Sequence, residues 1–152
     1  MKVLFLGDII GRAGRQAVIE ALPRLRDREN LDFIVVNGEN ATGGAGLNSE
    51  HAKALLVAGA DCITLGDHAF DQKEMISFID QEQRIIRPLN FAKNAPGRGI
   101  FIASDARGRK LVVTQVLGQV FMNRPYNDPF SALEEVFACY PLGGPVQGIL
   151  VD

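Results

Sequence analysis

Short apolar runs recur along the first half of the chain, each followed by a Gly/Asp/Asn turn and then by apolar residues at helical spacing. Val3–Leu6 is continuous in apolar character, the pattern of a strand buried on both faces. Gly7-Asp8 and Gly11 close it, and Val18, Ile19, Leu22 and Leu25 predict a helix from about Arg15 to Arg28. Pro23 lies inside that pattern, which predicts a kink or two shorter pieces. Phe33–Val36 reads as the second strand, closed by Asn37-Gly38. Leu47-Asn48-Ser49 opens a second helix whose apolar side is Leu55, Leu56 and Val57. Cys62–Leu65 is the third strand, after which Asp71 is expected to cap a third helix, with Glu74 three residues on.

A β-α-β-α-β-α order implies parallel strands joined by helical crossovers, hence an α/β fold. After Pro88 the pattern changes. Gly99–Ala103 and Leu111–Gln115 predict an antiparallel hairpin around the polar turn 104–108. Asp128-Pro129 suits the start of a final helix with Phe130, Leu133, Val136 and Phe137 as its core stripe. Val146–Val151 reads as one more strand.

The 152 residues suit one domain, residues 1–152. At 47% hydrophobic and 22% charged the chain carries enough apolar material for a core, and disorder is excluded. A net charge of −2 argues against a protein that coats nucleic acid or an anionic membrane. No apolar run reaches the roughly 18–20 residues of a membrane span. Cys62 and Cys139 lack metal-type spacing and read as buried thiols of a reducing compartment, so a soluble cytoplasmic protein is expected.

Ligands of open α/β sheets bind beyond the carboxyl ends of the strands. Those ends carry Gly7-Asp8, Asn37-Gly38-Glu39-Asn40 and Gly66-Asp67-His68, so Asp8, Glu39, Asn40, Asp67 and His68 should share one edge. Oxygen-rich sets suit Mg²⁺, Mn²⁺ or Fe, and an imidazole beside them can ligate or move protons. Asp, Asn and Gly also come after strands simply because they make turns. Glu39 is harder to explain that way, and on the residues alone both readings stand. His51, with no acidic cluster at its spacing, reads as a surface residue. Gly7 to Gly14 offers a loose dinucleotide-binding layout, but its spacing is Gly-x-x-x-Gly-x-x-Gly, and no Gly-Lys-Ser/Thr makes it a P-loop.

Gly7-Asp8-Ile9-Ile10-Gly11, Val36-Asn37-Gly38-Glu39-Asn40-Ala41, Thr64-Leu65-Gly66-Asp67-His68 and Arg87-Pro88-Leu89-Asn90-Phe91 together resemble the YmdB-like metallophosphoesterases of the calcineurin-like superfamily. Pro96-Gly97-Arg98-Gly99 and Asp128-Pro129-Phe130 fit the same family. The resemblance implies a sandwich of two β-sheets flanked by helices, of which this chain is the N-terminal half to two-thirds, a domain cut at its C-terminal end. It implies two metal ions, Fe or Mn with Mg as a further option, and hydrolysis of a phosphodiester such as a 2′,3′-cyclic nucleotide by a metal-bridging hydroxide. In this resemblance Asp8 and Asn40 bind the first metal, Glu39 bridges both, Asp67 binds the second and His68 is the proton donor. Asp67 stands where the family has Asn, which predicts tighter metal binding and a slower enzyme. Three further histidine ligands of the family have no counterpart here, since His51 and His68 are the only histidines. The expected partners are the substrate and either a second copy or the missing C-terminal part, through an unpaired sheet edge. Two alternatives remain: a non-catalytic binding module that keeps the fold, and a Rossmann-like cofactor domain.

Overall fold

The computed structural model describes residues 1–152 and contains two sheets. The first has the order β1-β2-β3-β4, from β1 (Val3–Leu6), β2 (Phe33–Asn37), β3 (Cys62–Thr64) and β4 (Ile85–Ile86), all parallel. Helices α1 (Gly11–Glu29), α2 (Ser49–Val57) and the short α3 (Met75–Phe78) form the crossovers. The second sheet pairs β5 (Ile100–Ser104) with β6 (Lys110–Thr114) antiparallel, then β6 with β7 (Gly148–Val151) parallel. Helix α4 (Pro129–Cys139) makes the crossover to β7.

The period-two alternation of the strands builds the layers. On β2, Ile34 and Val36 join Leu22 of α1 and Leu55 of α2 in the core under the helices. Phe33 and Val35 point the other way and meet Leu111 and Val113 of β6 between the sheets. Val112, the alternate residue of β6, packs on Val136 of α4. The result is helices, sheet, sheet, helix, which bears out the expected sandwich flanked by helices. Each fully buried Ile, Leu or Phe contributes about 1.5–3 kcal/mol to holding these layers.

Several expectations need correction. Helix α1 starts at Gly11 and runs unbroken through Pro23, which removes one backbone bond without ending the helix. β1 is an edge strand, and Phe5 is partly exposed instead of buried on both faces. The two-residue β4 is too short to leave a hydrophobic period in the sequence. Val57, Phe130 and Phe137 are exposed, so only part of each proposed helical stripe is core; in α4 the buried position is Val136. Cys62 is buried, and burial raises its thiol pKa, but Cys139 at the end of α4 is exposed. The hairpin and the Asp128 cap of α4 are as expected, the Asp128 side chain accepting from Ser131 N–H. No helix is long and apolar enough to cross a membrane.

Candidate active site at the carboxyl edge of the parallel sheet

Three loops leave the carboxyl ends of β1, β2 and β3 side by side, and hydrogen bonds tie them together. Ile9 N–H donates to Asn37 O and Gly11 N–H to Asn40 O, joining the first loop to the second. Gly38 N–H donates to Thr64 O, and Gln72 Nε2 donates to Ala45 O, joining the second to the third. The sheet edge thus gathers all five predicted residues on adjoining loops.

Asp8 adopts a left-handed backbone, φ 49°, which a short polar side chain tolerates at modest cost. Its Oδ1 accepts from Asn40 Nδ2 at 2.7 Å. Glu39 is half-buried, with Oε1 3.4 Å from the Asn37 Nδ2 donor. Its Oε2 is buried and has no hydrogen-bond partner. Burial, and then the neighbouring Asp67 carboxylate, push the Glu39 pKa above the usual range. Gly66 makes this approach possible: a Cβ there would overlap the Glu39 carboxylate.

His68 Nδ1 lies 2.6 Å from Asp71 Oδ2, and its Nε2 lies 4.0 Å from Asp67 Oδ1. The hydrogen bond to Asp71 is the main cause raising its pKa, with Asp67 and Glu39 adding to it. Asp71 is therefore a partner of the imidazole and not a helix cap. Its expected capping-box partner, Glu74, instead accepts from Ser49 N–H at the start of α2. The other histidine, His51, is half-buried and bonded through Nδ1 to Thr42 Oγ1 at 2.7 Å, a structural contact and not a free surface position. A small cleft of about 260 Å³ opens on the outer side, between Asp67, His68 and Asp71 and a wall containing Arg124 and Tyr126.

Two positioning residues, Asn37 and Asp152, are not marked as site residues by the sequence, where Asn37 reads as the turn closing the second strand. Asn37 contacts Glu39 twice, its Oδ1 also accepting from Glu39 N–H at 3.3 Å. Asp152, directly after β7 of the second sheet, accepts from Asn37 Nδ2, Thr64 Oγ1 and Gln115 Nε2 at 3.0, 2.6 and 2.8 Å. The i,i+3 spacing of His68 and Asp71 is legible in the sequence, though it fits a helix cap equally well. Asp152 is not legible, because a contact 115 residues from Asn37 exists only once the sheets are packed.

The residues suit metal ions in chemistry: oxygen donors, two crowded carboxylates and one orphaned, buried carboxylate oxygen. A cation is the natural neutraliser of such a pair. Nowhere in the chain do three His, Cys, Asp or Glu side chains close on one point.

Residues 4–152 match the family described as YmdB-like protein. A Bacillus subtilis protein, 2′,3′-cyclic-nucleotide 2′-phosphodiesterase, is 40% identical over 138 residues, covering 91% of this chain and 52% of the relative. The crystal structure of a hypothetical protein from Thermus thermophilus superposes with TM-score 0.87 at 37% identity, covering 99% of this chain and 56% of that one. That of a novel phosphatase from Mycoplasma pneumoniae gives TM-score 0.86 at 31% identity, covering 100% and 54%. The chain spans about half the length of these relatives.

Proposed function

The chain belongs to the YmdB-like protein family, and from that premise we propose that it carries the metal-binding edge of a phosphodiesterase for small phosphodiesters, with 2′,3′-cyclic nucleotides as the substrate class. The observation that carries this reading is the Glu39–Asp67 pair, crowded carboxylates with a buried unpartnered oxygen beside a histidine whose pKa is raised. Asp8 and Asn40 would hold one ion, Asp67 a second, and Glu39 would contribute its carboxylate to both. Oxygen donors suit Mn²⁺ or Fe, and Mg²⁺ less specifically. Ions held by these residues would neutralise charge at the phosphoryl oxygens and acidify water.

The chain's own contribution is acid chemistry and positioning. His68, held by Asp71 through Nδ1, keeps Nε2 for the cleft and donates its proton to the departing alkoxide. Asn37 orients Glu39, and Gly66 leaves room for its carboxylate. Asp67 adds negative charge where the family has Asn, which tightens metal binding and slows turnover. The full activity is assigned to a protein of the relatives' length, working in the cytoplasm, with this chain as the N-terminal part of its domain. The free edge of β7, paired only to β6, is the surface for a second copy or the remaining part of that domain.

Metal content and hydrolysis of an activated diester test the reading together. Glu39→Ala should lose bound Mn²⁺ in elemental analysis, and unchanged metal content would refute the assignment. His68→Ala should keep the metal but lose about 10²–10⁴-fold in turnover of an alkyl diester. Metal uptake without any hydrolysis of the activated diester would favour a non-catalytic binding module. Nucleotide binding indifferent to chelators would favour the Rossmann-like alternative.

A further inference from the structure

A larger cleft lies elsewhere in the molecule. It has a volume of about 860 Å³ and runs between the segment 87–100 and one face of α4. Phe91 lines it, while Tyr126, stacked on Phe91 with ring centroids 5.3 Å apart, lines the small cleft at His68. The aromatic pair therefore stands between the two.

Charge in this cleft is unbalanced. Arg87 is 7% exposed, yet its guanidinium meets no carboxylate: Nη1 donates to the Pro88 and Leu89 carbonyls, and the buried Nε–H has no acceptor at all. Burial alone accounts for the lowering of its pKa, since no charged neighbour offsets it. Lys93 and Arg98 also line the cleft, and neither takes part in any ion pair of the molecule. Two acids share the space. Asp128 is committed to Ser131 N–H and Oγ at the start of α4, which leaves Glu135 alone against three cations. A buried cation without a counter-charge is costly, and a planar guanidinium edge with free donors is suited to an oxyanion.

We propose that this cleft is a second ligand site, separate from the metal edge, which binds a phosphate oxyanion between Arg87, Lys93 and Arg98. The oxyanion is either free phosphate or the phosphate of a small monoester whose body rests on the apolar wall of Leu89, Phe91 and Ile100.

The test is an amide NMR titration of the metal-free protein with inorganic phosphate and, separately, with AMP, at constant ionic strength against chloride. Saturable shifts should centre on residues 87–99 and 131–140. Lys93→Ala/Arg98→Ala, which alters only the rim and leaves the buried Arg87 in place, should weaken binding about tenfold or more. Glu39→Ala should leave it unchanged. Tighter binding of AMP assigns the site to phosphate esters, and equal binding assigns it to the free ion; either supports the proposal. Shifts confined to residues 8, 39–40 and 67–68, no saturable shift, or full affinity in the rim variant would each overturn it.

Discussion

A hydrogen bond of 2.6 Å joins His68 Nδ1 to Asp71 and sets the character of the imidazole. Because this bond favours the charged ring, the folded His68 pKa lies above its ordinary value. The sign comes from linkage: the pair's stabilisation is complete below the ordinary histidine pKa and is lost as pH rises through the raised one. Asp71→Asn should therefore move the His68 titration midpoint downward in the metal-free protein, as read from its ring-proton shifts. An unmoved midpoint would show that Asp71 does not govern the ring. The residues at this scale are mostly legible in the sequence, since Asp8, Glu39, Asn40, Asp67 and His68 each come after a recognisable strand. Asp71 is ambiguous there, because a carboxylate three residues after a histidine and three before a glutamate satisfies both patterns. The turn that brings it under the ring decides between them.

Among the elements, β7 closes the second sheet and leaves it open on its outer side. It pairs with β6 alone, and its Val151 is partly exposed. Phe137, Tyr140 and Leu142 stand with it around an apolar hollow of about 420 Å³. Open edges beside apolar surface favour association. The isolated chain should therefore sediment above its 16.5 kDa monomer mass at micromolar concentration. A single monomeric species across a hundredfold dilution series would contradict the proposed use of this edge. The main strands are legible from continuous apolar runs, and the hairpin from its turn. The exposure of Phe130 and Phe137 is not, because helical spacing marks a face but not how much of that face is covered.

Across the whole molecule, the Asp152 side chain is the polar tie between the two sheets at the candidate active edge. It accepts from Asn37 and Thr64 of the first sheet and from Gln115 beyond β6 of the second. Replacing it leaves Thr64 Oγ1 and Gln115 Nε2 without this acceptor and Asn37 Nδ2 with Glu39 alone, a loss of about 1–3 kcal/mol. Asp152→Ala should lower the urea midpoint accordingly, and it should also loosen Glu39 through Asn37, weakening Mn²⁺ binding. Unchanged values of both would show that the Asp152 tie holds neither the sheets nor Glu39.

By itself the sequence determined the α/β class, the parallel order of the first half, the hairpin after it, and the acidic edge. Those features depend on local periodicity and on the turn residues at the end of each strand, and both are written in consecutive residues. Only the tertiary structure decided that Gly66 is a glycine to make room for Glu39, that Asp152 reaches across to Asn37, and that Arg87 is buried without a counter-charge. Each of these depends on atoms brought together by packing from separate segments, and no spacing along the chain encodes the distance between them.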